Sequence, residues 1–334
     1  MSSITGVSDQ DTRSGGDGEP PLLAETSSGR AGDRMFAGAA TLSGVVVIAL
    51  VTLVGVFLIS QAIPALADDQ ASFLTSREWQ VGGDNPRFGI ADLLWTTVVS
   101  SLIAMGLAVP VGVAVALFIT QYAPAWLSRP AANLVDLLAA VPSIVYGLWG
   151  LIVFRPVVKP LEDWITGTFG SIPFLSATGI TGGTIFFIGI VLAIMVLPIV
   201  TAISREVFAQ TPSAHKEGAL ALGATKWEMI RTAVLPYGKP GVISAAMLAL
   251  GRALGETIAV TFIVSTLAPG SPWSWSLFNG GETFASRIAN NAAEFDSPAK
   301  TGAFIAAGLV LFILTFIVNA IARIVIERRK AFTE

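Results

Sequence analysis

The chain of 334 residues is 53% hydrophobic and 13% charged, with a mean hydropathy of +0.71, whereas soluble globular chains carry about 25% charged residues. That balance excludes a soluble domain and points to an all-α polytopic membrane protein, in which topology places the positive charges; the formal net charge of −3 is therefore no sign of a nucleic-acid surface. With no Cys and a single His, His215, in a polar stretch beside Lys216, no disulfide, thiolate centre, metal site or cofactor is expected in this chain.

Residues 1–34 are rich in Gly, Ser and Asp without an apolar period, and are expected to form a disordered, solvated cytosolic tail ahead of one membrane domain at 35–330. Met35 to Ile63 is almost wholly apolar. Ala65-Leu66-Ala67 beyond it imitates a signal-peptidase site, but the run is far longer than the roughly 7–15 residues of a signal peptide's apolar region, so it reads as a retained first span. Further spans are expected at Asp92–Thr120, Leu134–Phe154, Thr184–Ile203, Pro240–Leu267 and Gly302–Ile326, each near or above the roughly 20 residues needed to cross a bilayer.

Six spans with both termini in the cytosol place thirteen of the twenty Lys and Arg inside, six outside, and Arg252 in the membrane, as the positive-inside rule requires. Trp95, Trp149, Trp273 and Trp275 then fall near the outer ends of spans, where an interfacial belt belongs. The outer segments near 64–91, 155–183 and 268–301 are long enough to carry short helices or a docking surface. Prolines and glycines within the spans, such as Pro110, Gly112, Pro142 and Pro198, are read as close packing between helices.

Between the fourth and fifth spans, a loop at about 205–239 carries helix formers from Glu217 to Leu222, then Gly223, then Thr225 with Glu228 three residues on. This pattern predicts two short helices, a turn at Gly223, and a capping box starting the second helix. Pro236 and Pro240 are expected to interrupt the chain before the apolar run, holding this knob against the next span. Gly218 to Gly223 also imitates the glycine spacing of a phosphate-cradling loop, but Ala224 stands where that loop needs Lys. No nucleotide site is expected.

Several strings carry a family resemblance. Glu217-Gly218-Ala219-x3-Gly223, with Leu235-Pro236 twelve positions after Gly223, resembles the E-A-A loop of permease subunits in ATP-driven, binding-protein-dependent (ABC-type) importers; Gly218 replaces Ala and Ala233 replaces Ile. Ala139-Ala-Val-Pro-Ser-Ile-Val-Tyr-Gly-Leu-Trp-Gly150, Leu197-Pro-Ile-Val-Thr-Ala-Ile-Ser-Arg205 and Gly251-Arg-Ala-Leu-Gly-Glu-Thr257 resemble the C subunit of the phosphate-specific importers. The companion A subunit follows a similar string with Ala-Pro-Leu, where this chain has Ile258-Ala-Val.

The resemblance implies a type I ABC importer permease fold in the inner membrane. It further implies a heterodimer with an A-type permease subunit, an ATPase subunit dimer that hydrolyses the ATP, an extracytoplasmic phosphate-binding protein, and inorganic phosphate as substrate. By it, Glu217, Gly218, Ala219, Gly223, Leu235 and Pro236 couple the chain to the ATPases.

Arg252 and Glu256 are four apart, so on one helix they would share a face and pair within the bilayer. Two readings stand: an ion pair that only holds helices together, or a substrate path in which Arg252 offers its donor fork to phosphate oxygens while Glu256 holds it when the path is empty. The alternatives to a phosphate permease are a permease for another oxyanion such as sulfate or molybdate, a self-sufficient secondary transporter using Arg252 and Glu256 as a relay, and a sensory protein retaining the permease fold.

Overall fold

The computed structural model describes residues 28–330 apart from 84, 177–178, 180–181 and 269. The expected disordered tail lies outside the described residues as far as residue 27, and its last residues are helical, because α1 runs Ser28–Asp68. The chain divides after Val54. Before that point α1 is a bare apolar rod, its described side chains all exposed. After it, Ala62 and Ala65 are buried. Gly302 admits Ala65, whose Cβ lies 2.7 Å from where a glycine side chain would begin.

Among the described residues, six helical stretches are long and apolar enough to cross a membrane: Gly32–Asp68, Ala91–Tyr122, Ser143–Phe169, Ile185–Ala209, Lys226–Leu254 and Pro298–Ile321. The all-α, six-span expectation holds. The strands β1 (Trp79–Gln80) and β2 (Arg87–Phe88) form a small antiparallel hairpin before α2 (Ala91–Leu117). At the centre, α6 (Ile185–Ala209) packs alongside α2 in the same direction, with Ile103 over Gly189 and Val200 over Gly112. A Cβ at either glycine would come within 3.0 Å of its neighbour, so small residues set this helix separation.

Two expected spans are broken. The third is α3 (Ala125–Ala139) followed by α4 (Ser143–Trp149), since the residue before Pro142 is pushed away from helical angles and proline removes a donor. Tyr146 restrains the break by donating to the Leu138 carbonyl at 2.9 Å. From α4 the helix continues through a π turn at Gly150–Phe154 into α5 (Arg155–Phe169).

The fifth span is helical from α8 (Lys226–Met229) through a π turn at Ile230–Val234 to the end of α9 (Leu235–Leu254). It stops there, and α10 (Ile258–Ile263) begins after a gap of three residues. Pro236 and Pro240 therefore do not interrupt the chain as the sequence predicted. Pro236 lies inside this continuous helix, and the π turn just before it loosens the backbone where its ring would otherwise meet the carbonyl four residues back. The same arrangement recurs at Gly150–Phe154 before Pro156, whereas after the π turn at Phe118–Tyr122 the chain leaves the helix at Ala123 and Pro124 precedes α3 in an extended conformation.

The segments at the start of α2 and α6 form a bonded layer. Leu277 N donates to Phe174 O at 2.9 Å and Phe186 N to Leu277 O at 2.8 Å. Trp275 meets both Trp95 and Trp273 edge to face, with centroids 4.9 Å apart in each pair. Here α11 (Phe284–Asn290) leads into α12 (Pro298–Lys330).

Candidate functional site

The loop after α6 folds as the residues foretell. Following Pro212, α7 (Ser213–Ala221) ends at Leu222, and Gly223 turns the chain at φ +84°, a left-handed conformation that favours glycine. Thr225 then opens α8 with a full capping box: its Oγ1 accepts from Glu228 N at 3.3 Å, while its own N–H donates to the Glu228 carboxylate at 2.8 Å.

The six predicted loop residues divide by environment. Ala219 and Leu235 pack inward on a cluster of Ala116, Leu117, Phe208, Met229, Ile230 and Val234. Glu217, Gly218 and Pro236 are exposed, and Glu217 makes no ion pair among the described residues. The loop's tip is apolar, with Leu222 91% exposed and Trp227 56%, a feature the sequence reading missed.

The knob is joined stiffly to the bundle. From Lys226 the helix reaches Leu254 without a gap, and α9 lies so close to α6 that a Cβ at Gly238 would stand 2.5 Å from the Phe208 ring and one at Gly241 2.4 Å from Val207. Gly218 lies within α7 rather than in a phosphate-binding turn.

At the far end of α9 the expected Arg252–Glu256 pair is absent among the described residues, because the two residues are not on one helix. The helix ends at Leu254 with Gly255 as its cap, and Glu256 lies in the gap before α10, whose N-cap is Thr257. The Glu256 carboxylate is buried and accepts from Ala259 N at 3.1 Å, satisfying a donor that the start of α10 would leave open and placing negative charge at a helix N-terminus.

Arg252 is instead exposed and lines an open cavity of about 610 Å³ with Ile199, Met247, Leu248, Gly251 and Asn319. A Cβ on Gly251 would meet nothing within 4 Å, so that glycine keeps the cavity open. Asn319, on α12, carries the second polar group of the cavity and was not singled out from sequence.

The family strings also find their reasons. Gly147 lets α10 approach until Ala259 Cα lies 2.9 Å from a would-be Cβ, and Gly150 accepts Val191 at 3.3 Å. Gly255 supplies the break that separates Arg252 from Glu256.

A second cavity, of about 630 Å³, lies in the bonded layer and includes Arg77, Asp92, Glu282 and Arg287. Its arginines are committed. Arg77 Nε donates to Asp92 at 2.8 Å and its Nη1 to Ser271 O at 2.9 Å, and Arg287 pairs with Glu282 and lies over the Trp79 ring.

The profile of the family described as "Binding-protein-dependent transport system inner membrane component" matches residues 108–331. The chain is 50% identical over 310 residues to the phosphate transport system permease protein PstC 2 of Mycobacterium tuberculosis, covering 91% of this chain and 95% of the relative. It is 51% identical over 295 residues to PstC of Mycobacterium leprae, covering 87% and 92%. The fold is similar to that in the inward-facing MetNI methionine ABC transporter, with a TM-score of 0.51 at 16% identity, covering 71% of this chain and 94% of that one. This multi-pass membrane chain, with its type I importer permease fold, belongs to the family of binding-protein-dependent transport system inner membrane components.

Proposed function

We propose that the chain is the permease subunit of an ATP-driven importer of inorganic phosphate. The observation that carries this reading is half identity, over nearly the whole length of both chains, to proteins named phosphate transport permeases. The chain is read as a translocation half-path rather than an enzyme. ATP is hydrolysed on a partner ATPase dimer, and an A-type permease subunit completes the membrane path. An extracytoplasmic binding protein delivers the anion.

Both termini and the Glu217–Pro236 loop lie in the cytosol in this reading, in keeping with the charge distribution. The exposed knob of α7 and α8 enters the ATPase, with Glu217 meeting a cationic residue there, since an acid desolvated at an interface needs a partner. ATPase closure moves the knob, and the unbroken helix carries that movement to Arg252.

Arg252 is the anion-contacting group. Its fork of donors suits a tetrahedral oxyanion, and with no carboxylate bonded to it the guanidinium is available. A charge within a bilayer costs about 2.5–3.5 kcal/mol on insertion scales, which an open cavity reduces. Glu256 acts differently from the sequence expectation: it fixes the break after α9 and so aims the last turn that bears Arg252.

Proteoliposomes carrying the whole complex test the reading. Labelled phosphate should be taken up with ATP and not without the ATPase subunits; Glu217→Ala and Gly223→Asp should uncouple uptake while the complex still assembles. Uptake by this chain without ATPase would overturn it, and preferential uptake of sulfate or molybdate would change the substrate.

A further inference from the structure

We infer that Asn319 is a second anion-contacting residue of the transport path, lining the same open cavity as Arg252; this rests on the reading of Arg252 as the residue that meets phosphate. Six residues line the cavity, and of their side chains only those of Arg252 and Asn319 are polar. They come from different helices, α9 and α12, so they approach the cavity from different walls.

Asn319 lies in an apolar run, Leu311 to Ile321, whose only other polar residue is Thr315. Thr315 bonds back to the Phe312 carbonyl at 2.9 Å, and Thr201 on α6 likewise to Leu197 at 2.9 Å. That is how hydroxyls in apolar helices are satisfied. The carboxamide of Asn319 makes no hydrogen bond to any described residue and is exposed on the cavity. An amide carrying two donors and an acceptor is costly in an apolar setting unless something polar meets it.

The chemistry of the two groups is complementary toward phosphate. Arg252 offers donors only, fitted to the ionised oxygens. Asn319 offers N–H groups to a further oxygen and a carbonyl that accepts from a protonated P–O–H, which phosphate carries at neutral pH and sulfate does not. A site that accepts a hydrogen bond from a substrate hydroxyl disfavours the analogue lacking it, because its own acceptor is then left unpaired. Asn319 is therefore also the side chain that favours phosphate over sulfate.

The absence of cysteine in the chain allows a direct test in the reconstituted complex. Asn319→Cys should react with a small cationic thiol reagent, and saturating phosphate should slow the reaction several-fold while sulfate does not. That protection should vanish when Arg252→Gln is added. Asn319→Leu should lower phosphate uptake at least about tenfold, the worth of a hydrogen bond to a charged group. Asn319→Asp, which puts a like charge beside the anion, should lower it further, and Asn319→Gln should retain much of it, all with unchanged co-purification of the partner subunits.

Wild-type uptake by both Asn319→Leu and Asn319→Asp, with Arg252→Gln inactive, overturns the role of Asn319 and leaves that of Arg252 standing. Uptake by Arg252→Gln at the wild-type level overturns the reading beneath it. Loss of the companion permease from Asn319→Leu on purification also overturns the inference, since Asn319 would then be a bond between helices.

Discussion

Two settings for arginine coexist in the bundle. In the layer at the start of α2 and α6, Arg77, Arg155 and Arg287 are each bonded to a carboxylate and each lies over an aromatic ring about 5 Å away. The Arg155 pair is the most enclosed: its Nη1 donates to Glu162 at 2.7 Å, Glu162 also accepts from Thr184 Oγ1 at 2.7 Å, and Thr184 caps α6 by accepting from Phe187 N. Arg252, by contrast, makes neither a hydrogen bond nor an ion pair to a described residue, although a carboxylate stands four positions away. Where charge is neutralised within the chain it holds segments together; where it is left open it is available to a ligand.

The widest test of that contrast is to remove each charge in turn. Arg252→Gln should lower phosphate uptake about a hundredfold or more, the worth of a charge-assisted, two-pronged contact, with the complex intact and its melting temperature unchanged. Arg252→Lys should recover little, because a point charge lacks the fork.

Arg155→Met should do the reverse. It leaves Glu162 buried and unpaired, at a cost of about 3–5 kcal/mol, to be seen as a lower melting temperature of the purified complex. Arg155→Met combined with Glu162→Leu should recover much of that loss. If Arg155→Met were as stable as wild type but inactive, the division between structural and ligand-facing arginines would fail.

Glu256 sharpens the comparison at smaller scale. As a helix cap its removal in Glu256→Ala should cost about 1 kcal/mol of stability. Glu256→Gln, which keeps an acceptor oxygen, should transport within a few-fold of wild type. Inactivity of Glu256→Gln equal to that of Arg252→Gln would mean that the carboxylate charge itself acts on the anion.

The smallest effect is expected at Gly218, where a Cβ would meet nothing within 4 Å. Gly218→Ala should stabilise α7 by up to about 1 kcal/mol through helix propensity alone, with uptake unchanged. Reduced uptake would show that the partner approaches the backbone there.

What could be read beforehand follows from where local chemistry is decisive. The number of spans, the turn at Gly223 and the capping box of Thr225 and Glu228 depend on composition or on a few adjacent residues, and they appear in the structure. The break after Leu254 is written in Gly255-Glu256-Thr257, but the four-residue spacing of Arg252 and Glu256 suits an unbroken helix equally well. Asn319 and the cavity that Arg252 lines were not legible. In a soluble helix polar residues mark the outer face, whereas in a membrane helix both lipid and protein neighbours are apolar, so the pattern does not say which side meets a cavity. Leu222 was obscured by the converse: in a solvated loop its exposure depends on the angle between α7 and α8.

The π turn at Ile230–Val234 lies between the knob and the membrane part of α9. A π turn holds one residue more than the α turn it replaces yet completes the same rotation, because each of its residues turns the chain by less than the about 100° of an α-helix. The knob and Arg252 therefore keep one alignment across the extra residue, like two dials on one shaft. Deleting a single residue from 230–234 should let the turn close as an α turn with the guanidinium still on the cavity, whereas deleting one from the regular helix at 241–246 would swing it about a quarter-turn away.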